Sequence, residues 1–163
     1  MTEVTVRDAR PDDAEAINQV ALAAFAQYRD RYDDWPRFSR GLGAMSTLAR
    51  TAALLVAERD GAVVGAVGYV APHAPKPDFF EPARPVIRML VVDPAARGAG
   101  AGRRLTEACV EMARRDGAPV IALHTSPIQS VALAMYLRMG FEHRYPVEPI
   151  FGVAYAVYVK PLT

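Results

Sequence analysis

The sequence predicts an α/β (α+β) fold, a mixed central sheet of about six to seven strands flanked by helices, in one domain over residues 1–163. Three observations predict it. The second half alternates apolar runs of strand length with segments of helical period, which implies parallel neighbours joined by a crossover. The first half holds a clear antiparallel hairpin around Asp60-Gly61. The chain has 163 residues, 52% of them hydrophobic and 23% charged, which suits one domain with a real core and hardly two.

The elements follow in order. "VTVRDA" alternates like a short first strand. "RPDDAEAINQVALAAF" reads as a helix, with Asp12 as its N-cap and Glu15 three residues on, as in a capping box. Residues Tyr28 to Ser39 mix aromatics and charges around Pro36 and read as irregular or briefly helical, with a second helix expected over Gly43 to Ala49. "AALLVAERDGAVVGAVGYV" is the hairpin, and Asp60-Gly61 suits a tight turn with positive φ. Residues Ala71 to Pro85 contain Pro72, Pro75, Pro77, Pro82 and Pro85, so they form a surface loop. "VIRMLVV" is a buried strand. "RRLTEACVEMARRDG" places Leu105, Ala108, Cys109, Met112 and Ala113 at helical spacing, and Gly117 stops it. "PVIALHT" is another buried strand. "SVALAMYLRMG" is a helix ended by Gly140, with Phe141 set to pack back on it. "GVAYAVYVK" closes the chain as a strand, and the full order is βααβββαβαββ.

Composition excludes several functions. A net charge of +1 argues against a protein that grips nucleic acid backbone. The single cysteine, Cys109, rules out an internal disulfide and a cysteine-cluster metal site. It falls on the apolar face of a helix and reads as an inert core thiol. The charged start "MTEVTVRDARPDD" is no signal peptide, and no apolar run reaches membrane-spanning length, so the expected location is cytoplasmic.

The segment "VVDPAARGAGAGRRL", Val91 to Leu105, carries the chemistry. Three glycines between a strand and a helix let the backbone approach an anion, and the helix adds unpaired amides and the positive end of its dipole. Arg97, Arg103 and Arg104 add charge around this phosphate cradle. The Walker loop fails, since no Lys-Ser or Lys-Thr follows. The dinucleotide fingerprint fails too, since Gly98, Gly100 and Gly102 give G-x-G-x-G and no acidic residue follows at the ribose position. The pattern [Q/R]-x-x-G-x-[G/A] is met in full by Arg97, Gly100 and Gly102.

At these residues the chain resembles the GCN5-related N-acetyltransferases, which move an acetyl group from acetyl-CoA to an amine. "MLVVDPAARGAGAGRRLTEACVEMAR" is similar to the family's acetyl-CoA segment. "AMYLRMGFE" is similar to its "LYxxxGF" signature, with Tyr136, Gly140 and Phe141 in register. The resemblance covers nearly the whole chain. It implies that the backbone of Leu90, Val91 and Val92 pairs with the pantetheine arm. It implies that Arg97, Gly98, Ala99, Gly100, Ala101, Gly102 and Arg103 hold the pyrophosphate, and that Tyr136 protonates the departing thiolate. Gln129 stands seven residues before the Tyr, where many members carry Asn, and is assigned to the cofactor. Acetyl-CoA is then the co-substrate, with no metal. The partner is a small-molecule or peptide amine, with no nucleic acid or membrane, and a homodimer is compatible with the family.

The resemblance leaves the base open. Many members carry a Glu on the strand that here reads "VIRML", where Arg88 is the only charge. His124 is the leading candidate. It stands near the carboxyl end of "PVIALHT", where ligands collect in α/β sheets. It also fills the slot twelve residues before the Tyr that holds a catalytic Glu in some members. Its ordinary pKa near 6.5 suits proton uptake at neutral pH. Glu81, Glu148 and His73 are rival bases in the loops. Arg88 would hold either a carboxylate on the acceptor or an acid inside the fold. Tyr28, Tyr32, Trp35 and Phe38, with the Ala71–Pro85 loop, are expected to shape the acceptor pocket. The alternative function is a non-catalytic acyl-CoA-binding regulatory or sensor module, kept open by the missing strand Glu.

Overall fold

Residues 3–163 are described by a computed structural model. Seven strands form one mixed sheet: β1 (Thr5–Asp8), β2 (Ala53–Arg59), β3 (Ala62–Val70), β4 (Val86–Val92), β5 (Val120–Thr125), β6 (Glu142–Ile150) and β7 (Val153–Pro161). Four α-helices flank it: α1 (Ala14–Phe25), α2 (Trp35–Leu42), α3 (Ala101–Arg115) and α4 (Ser130–Arg138). The strand order is β1-β2-β3-β4-β5-β7-β6. Only the β4–β5 pair is parallel, joined through the α3 crossover. The βααβββαβαββ order read from the sequence is the order observed.

Strand alternation sorts the core. On β2, Leu55 and Ala57 pack with α3 residues Leu105, Cys109 and Ala113 on one face of the sheet. Leu54 and Val56 pack with Ile17, Ala21 and Phe25 of α1 on the other. The β2–β3 turn has Asp60 at φ 54° and Gly61 at φ 79°, both in the left-handed region that the tight hairpin requires. The ends of α3 and α4 are Schellman closures. After α3, Gly117 takes φ 74°, and the Ala118 amide donates to the Ala113 carbonyl at 3.0 Å. After α4, Gly140 takes φ 98°, and the Phe141 amide donates to the Tyr136 carbonyl at 3.0 Å.

Two local expectations are corrected. The first helix is not capped by Asp12 and Glu15. The Asp13 carboxylate accepts from the Arg10 amide at 2.7 Å and from Arg7 at 2.8 Å. The Arg7 hydrogen bond comes first and the Arg10 amide second in holding Asp13 down to about 2. The second helix is α2 at Trp35–Leu42, while Met45–Arg50 forms a 3-10 turn in place of the helix expected over Gly43 to Ala49. Asp34 decides the start of α2, because its side chain accepts from the Arg37 amide at 3.2 Å, and Pro36 fits the first turn.

Two features of β4 position the site. It pairs with β5 at a single register position, Val86 with Ala122, and the strands then diverge. Beyond that point the β5-facing backbone of β4 has no strand partner. The β3–β4 register also slips between Ala66 and Gly68, and Met89 takes φ 56°, so β4 is bulged opposite β3. Gly68 makes room there: a Cβ would stand 3.3 Å from the Arg88 carbonyl.

Candidate active site

Where β4 and β5 part, two cavities open. One, of about 400 Å³, is walled by Ile87–Leu90 of β4, Leu123–Thr125 of β5, and side chains from α1, α2, α4 and the β6–β7 turn. The other, of about 490 Å³, lies over the end of β4, the Gly-rich loop and α4. They share Phe25, Leu90 and Gln129 in their walls, so a molecule lying in one meets a molecule lying in the other.

The larger cavity gathers nearly all the residues assigned to the cofactor. Leu90, Val91, Val92, Arg97, Gly98, Gly100, Ala101, Gly102, Arg103 and Gln129 all line it. Ala99 does not; its side chain packs toward the core beneath the loop. Arg104 is also absent from the wall and lies 3.7 Å from Glu3. Arg103 lines the cavity while its guanidinium holds Glu107 at 2.8 Å. Gly100 sits at φ 84° as the residue before α3, and Gly98 at φ 87°. None of the amides from Gly98 to Arg103 donates to a backbone carbonyl among the described residues. Six consecutive free amides at the positive end of a fifteen-residue helix form a strong anion cradle. The loop thus fits a pyrophosphate, and the unpaired β4 backbone fits an extended pantetheine arm.

The smaller cavity holds both candidate catalytic residues. Tyr136 is 5% exposed, and its ring meets Phe141 edge-on at 5.6 Å, held by the closure after α4. Burial, then the nearby Cys109, pushes its phenol above the ordinary tyrosine value. His124 stands among the rings of Phe79 at 5.1 Å, Tyr155 at 5.2 Å and Phe80 at 5.7 Å. Burial first, and the positive Arg88 second, bring its imidazole down to about 4. The sequence expectation of an ordinary histidine titrating near 6.5 is therefore corrected. Among the described residues, the buried side-chain polar atoms without a hydrogen-bond partner are Arg88 Nε, His124 Nδ1 and Thr125 Oγ1. All three residues line this cavity. An unpaired buried polar group costs about 1–3 kcal/mol, so such a cluster marks a place shaped for a polar ligand.

Other sequence expectations divide. Phe38 lines the smaller cavity and Tyr28 the larger. Tyr32 and Trp35 stand behind Phe38, with the Tyr32 ring stacked on it at 3.9 Å. The Ala71–Pro85 loop contributes no wall; Phe79 and Phe80 instead buttress His124. The rival bases Glu81, Glu148 and His73 are not in the wall, and Glu81 pairs with Arg84 at 3.4 Å. Cys109 is fully buried, with its thiol pushed up to about 12 by burial, which makes it the inert thiol expected. Sequence reasoning missed Phe25, Arg37, Leu42, Phe151 and Tyr155. The amphipathic register of α2 could have offered Arg37 and Leu42. The β6–β7 turn offered only Gly152 as a signal.

Comparison with known proteins decides the family. A family model, described as the acetyltransferase (GNAT) family, matches residues 14–141. The chain belongs to the GNAT acetyltransferase family. It is an acetyl-CoA-dependent acetyltransferase, which settles the choice between enzyme and non-catalytic module. It is 34% identical over 138 residues to an IAA acetyltransferase of Azospirillum brasilense, covering 83% of this chain and 86% of that one. It is 38% identical over 104 residues to a mycothiol acetyltransferase of Cellulomonas flavigena, covering 62% of this acetyltransferase and 29% of that one. The structure of yncA from Salmonella typhimurium with its cofactor acetyl-CoA superposes with a TM-score of 0.68 at 22% identity, over 98% of this chain and 94% of that one. That likeness carries the fold. No helix among the described residues is long and apolar enough to cross a membrane. No cluster of three or more His, Cys, Asp or Glu suited to a metal occurs among them.

Proposed function

We propose that this acetyltransferase moves the acetyl group to a primary amine of a small molecule or peptide by direct attack, with Tyr136 as general acid and His124 as base. The observation that carries the reading is the junction of the two cavities. Gly98, Gly100, Ala101, Gly102 and Arg103, with their free amides, line one, Tyr136 and His124 line the other, and Gln129 borders both. Bound acetyl-CoA supplies an acetyl thioester, whose C–S bond breaks as the amine bonds to the carbonyl carbon.

Each residue then has a task its surroundings suit. Tyr136, its phenol held above the ordinary value by burial, stays protonated at neutral pH and can give its proton to the leaving sulfur. His124, held down to about 4, stays neutral at neutral pH and can take the proton that the nitrogen sheds once it has bonded to carbon. As a weak base it suits that acidified nitrogen better than a free ammonium. Cys109 is fully buried and outside both walls, which favours direct attack over a covalent cysteine intermediate. The names of the two relatives specify different acceptors, so the reading of the acceptor here rests on the smaller cavity.

Tyr136→Phe tests the reading. The ring keeps its place against Phe141, so acetyl-CoA affinity should hold within about threefold while kcat falls about 10²-fold. Equal turnover by both proteins rules out an essential acid role.

A further inference from the structure

The smaller cavity has an unbalanced charge. Arg88 and Arg37 are in its wall, and no Asp or Glu is. Arg37 stands at the exposed rim with its guanidinium 5.8 Å over the Phe151 ring. Arg88 lies deeper, on β4, with its Nε buried and unpartnered. No ion pair to Arg88 is found among the described residues, which removes the alternative of an internal acid partner. Its charge reaches His124 on the neighbouring strand, and the Thr125 hydroxyl beside that histidine is also buried and unpaired. The rest of the wall is apolar: Phe25, Phe38, Leu42, Ile150 and Phe151.

A half-buried guanidinium whose Nε is sealed from solvent and unpaired, with no carboxylate beside it, is unusual, because charges that enter a protein are paired. Its planar fork matches a carboxylate better than any neutral group. A cationic acceptor such as a polyamine would meet two arginines and no counter-charge. Taking this cavity as the acceptor site of the reading above, we propose that the acceptor amine also carries a carboxylate, which Arg88 holds. Its apolar side group lies among the aromatic rings, so the acceptor belongs to the class of apolar amino acids. Arg88 and His124 stand on the two diverging strands, so a carboxylate on one presents a neighbouring amine toward the other. The nitrogen bonds to the acetyl carbon as the C–S bond breaks, the acidified nitrogen then sheds its proton to His124, and Tyr136 gives its proton to the departing sulfur.

The test uses the whole chain, acetyl-CoA and matched acceptors: L-phenylalanine, L-phenylalaninamide and phenethylamine, and L-methionine with L-methioninamide. Spermidine is the cationic control. Thiol release gives kcat/KM for each. The acids should exceed their amides by at least about 10²-fold, with spermidine slower still. Arg88→Gln should collapse the acid-to-amide ratio to within about fivefold of unity, and Arg88→Lys should restore part of it. Acetyl-CoA affinity by calorimetry reports that each variant is folded. Amides used as well as acids by the wild type, or a ratio unmoved by Arg88→Gln in a folded protein, overturns the proposal while leaving the amine reading intact. No thiol release with any amine, by a protein that binds acetyl-CoA, brings down the amine reading and this proposal together.

Discussion

The hydroxyls of Tyr32 and Tyr155 share a hydrogen bond of 2.5 Å across 123 residues of chain. Both side chains are buried, at 5% and 7% exposure. The bond ties the irregular segment before α2 to β7. Because Tyr32 stacks on Phe38, it sets the wall of the smaller cavity from behind. Burial, then the shared bond, raises the Tyr32 phenol, so the pair stays neutral throughout the working range.

That pairing predicts a coupled stability effect. Tyr155→Phe leaves the Tyr32 hydroxyl buried and unpaired, at a cost of about 1–2 kcal/mol, and Tyr32→Phe takes from the Tyr155 hydroxyl one of its two partners, the other being Gln129. The double variant should cost about 1 kcal/mol less than the sum of the singles, because it orphans no hydroxyl. Urea unfolding of the four proteins measures this. Strictly additive singles would show that the Tyr32 hydroxyl also has another partner.

Gly100→Val should weaken acetyl-CoA binding by more than tenfold, at least about 1.4 kcal/mol. A Cβ there meets nothing within 4 Å, so crowding inside the protein is not the cause. The φ of 84° is: a β-branched residue avoids the left-handed region, and the turn that aims the free amides would relax. Calorimetry on the variant, with circular dichroism to confirm folding, is the measurement. Unchanged affinity in a folded Gly100→Val protein would remove the loop from the binding site.

The pH profile should carry the mark of a depressed histidine. With His124 at about 4, kcat/KM should show its acidic limb near pH 4 and none between 6 and 7. His124→Gln should lose that limb and lower the plateau about 10²-fold. An anionic acceptor beside Arg88 offsets the charge that helps depress the imidazole, so the limb in kcat should lie above the limb in kcat/KM. The same shift bears on stability. A depressed histidine contributes stability that is complete above its unfolded value near 6.5 and is lost as pH falls through about 4. An acidic limb at 6 to 7 that survives His124→Gln would assign the base elsewhere.

The sequence by itself determined most of the fold, because its signals are local. The Asp60-Gly61 turn, the closures at Gly117 and Gly140 and the prolines of the 71–85 loop each act through φ restrictions that a short stretch displays. The cofactor loop was legible for the same reason: its glycines, the free amides and the start of α3 are consecutive in the chain. The weak places were those with mixed signals. Trp35–Leu42 hides its helix among aromatics and arginines, and β6 carries Pro146 and Pro149, which a strand tolerates here because it lies at the sheet edge.

Only the tertiary structure assembles the smaller cavity. Arg88, His124 and Tyr155 come from three strands, and Arg37 and Phe38 from a helix far off in sequence; no spacing links them. The sequence named Arg88 as a carboxylate holder or an internal partner, and His124 as an ordinary histidine. Burial and neighbours set the charge state of each, since the same side chain in water or in a cavity has a different charge cost. The divergence of β4 from β5 beyond Val86 and Ala122 goes with a bulge at Met89, where β4 slips its register against β3. That is a property of assembled strands, and no single stretch of residues contains it.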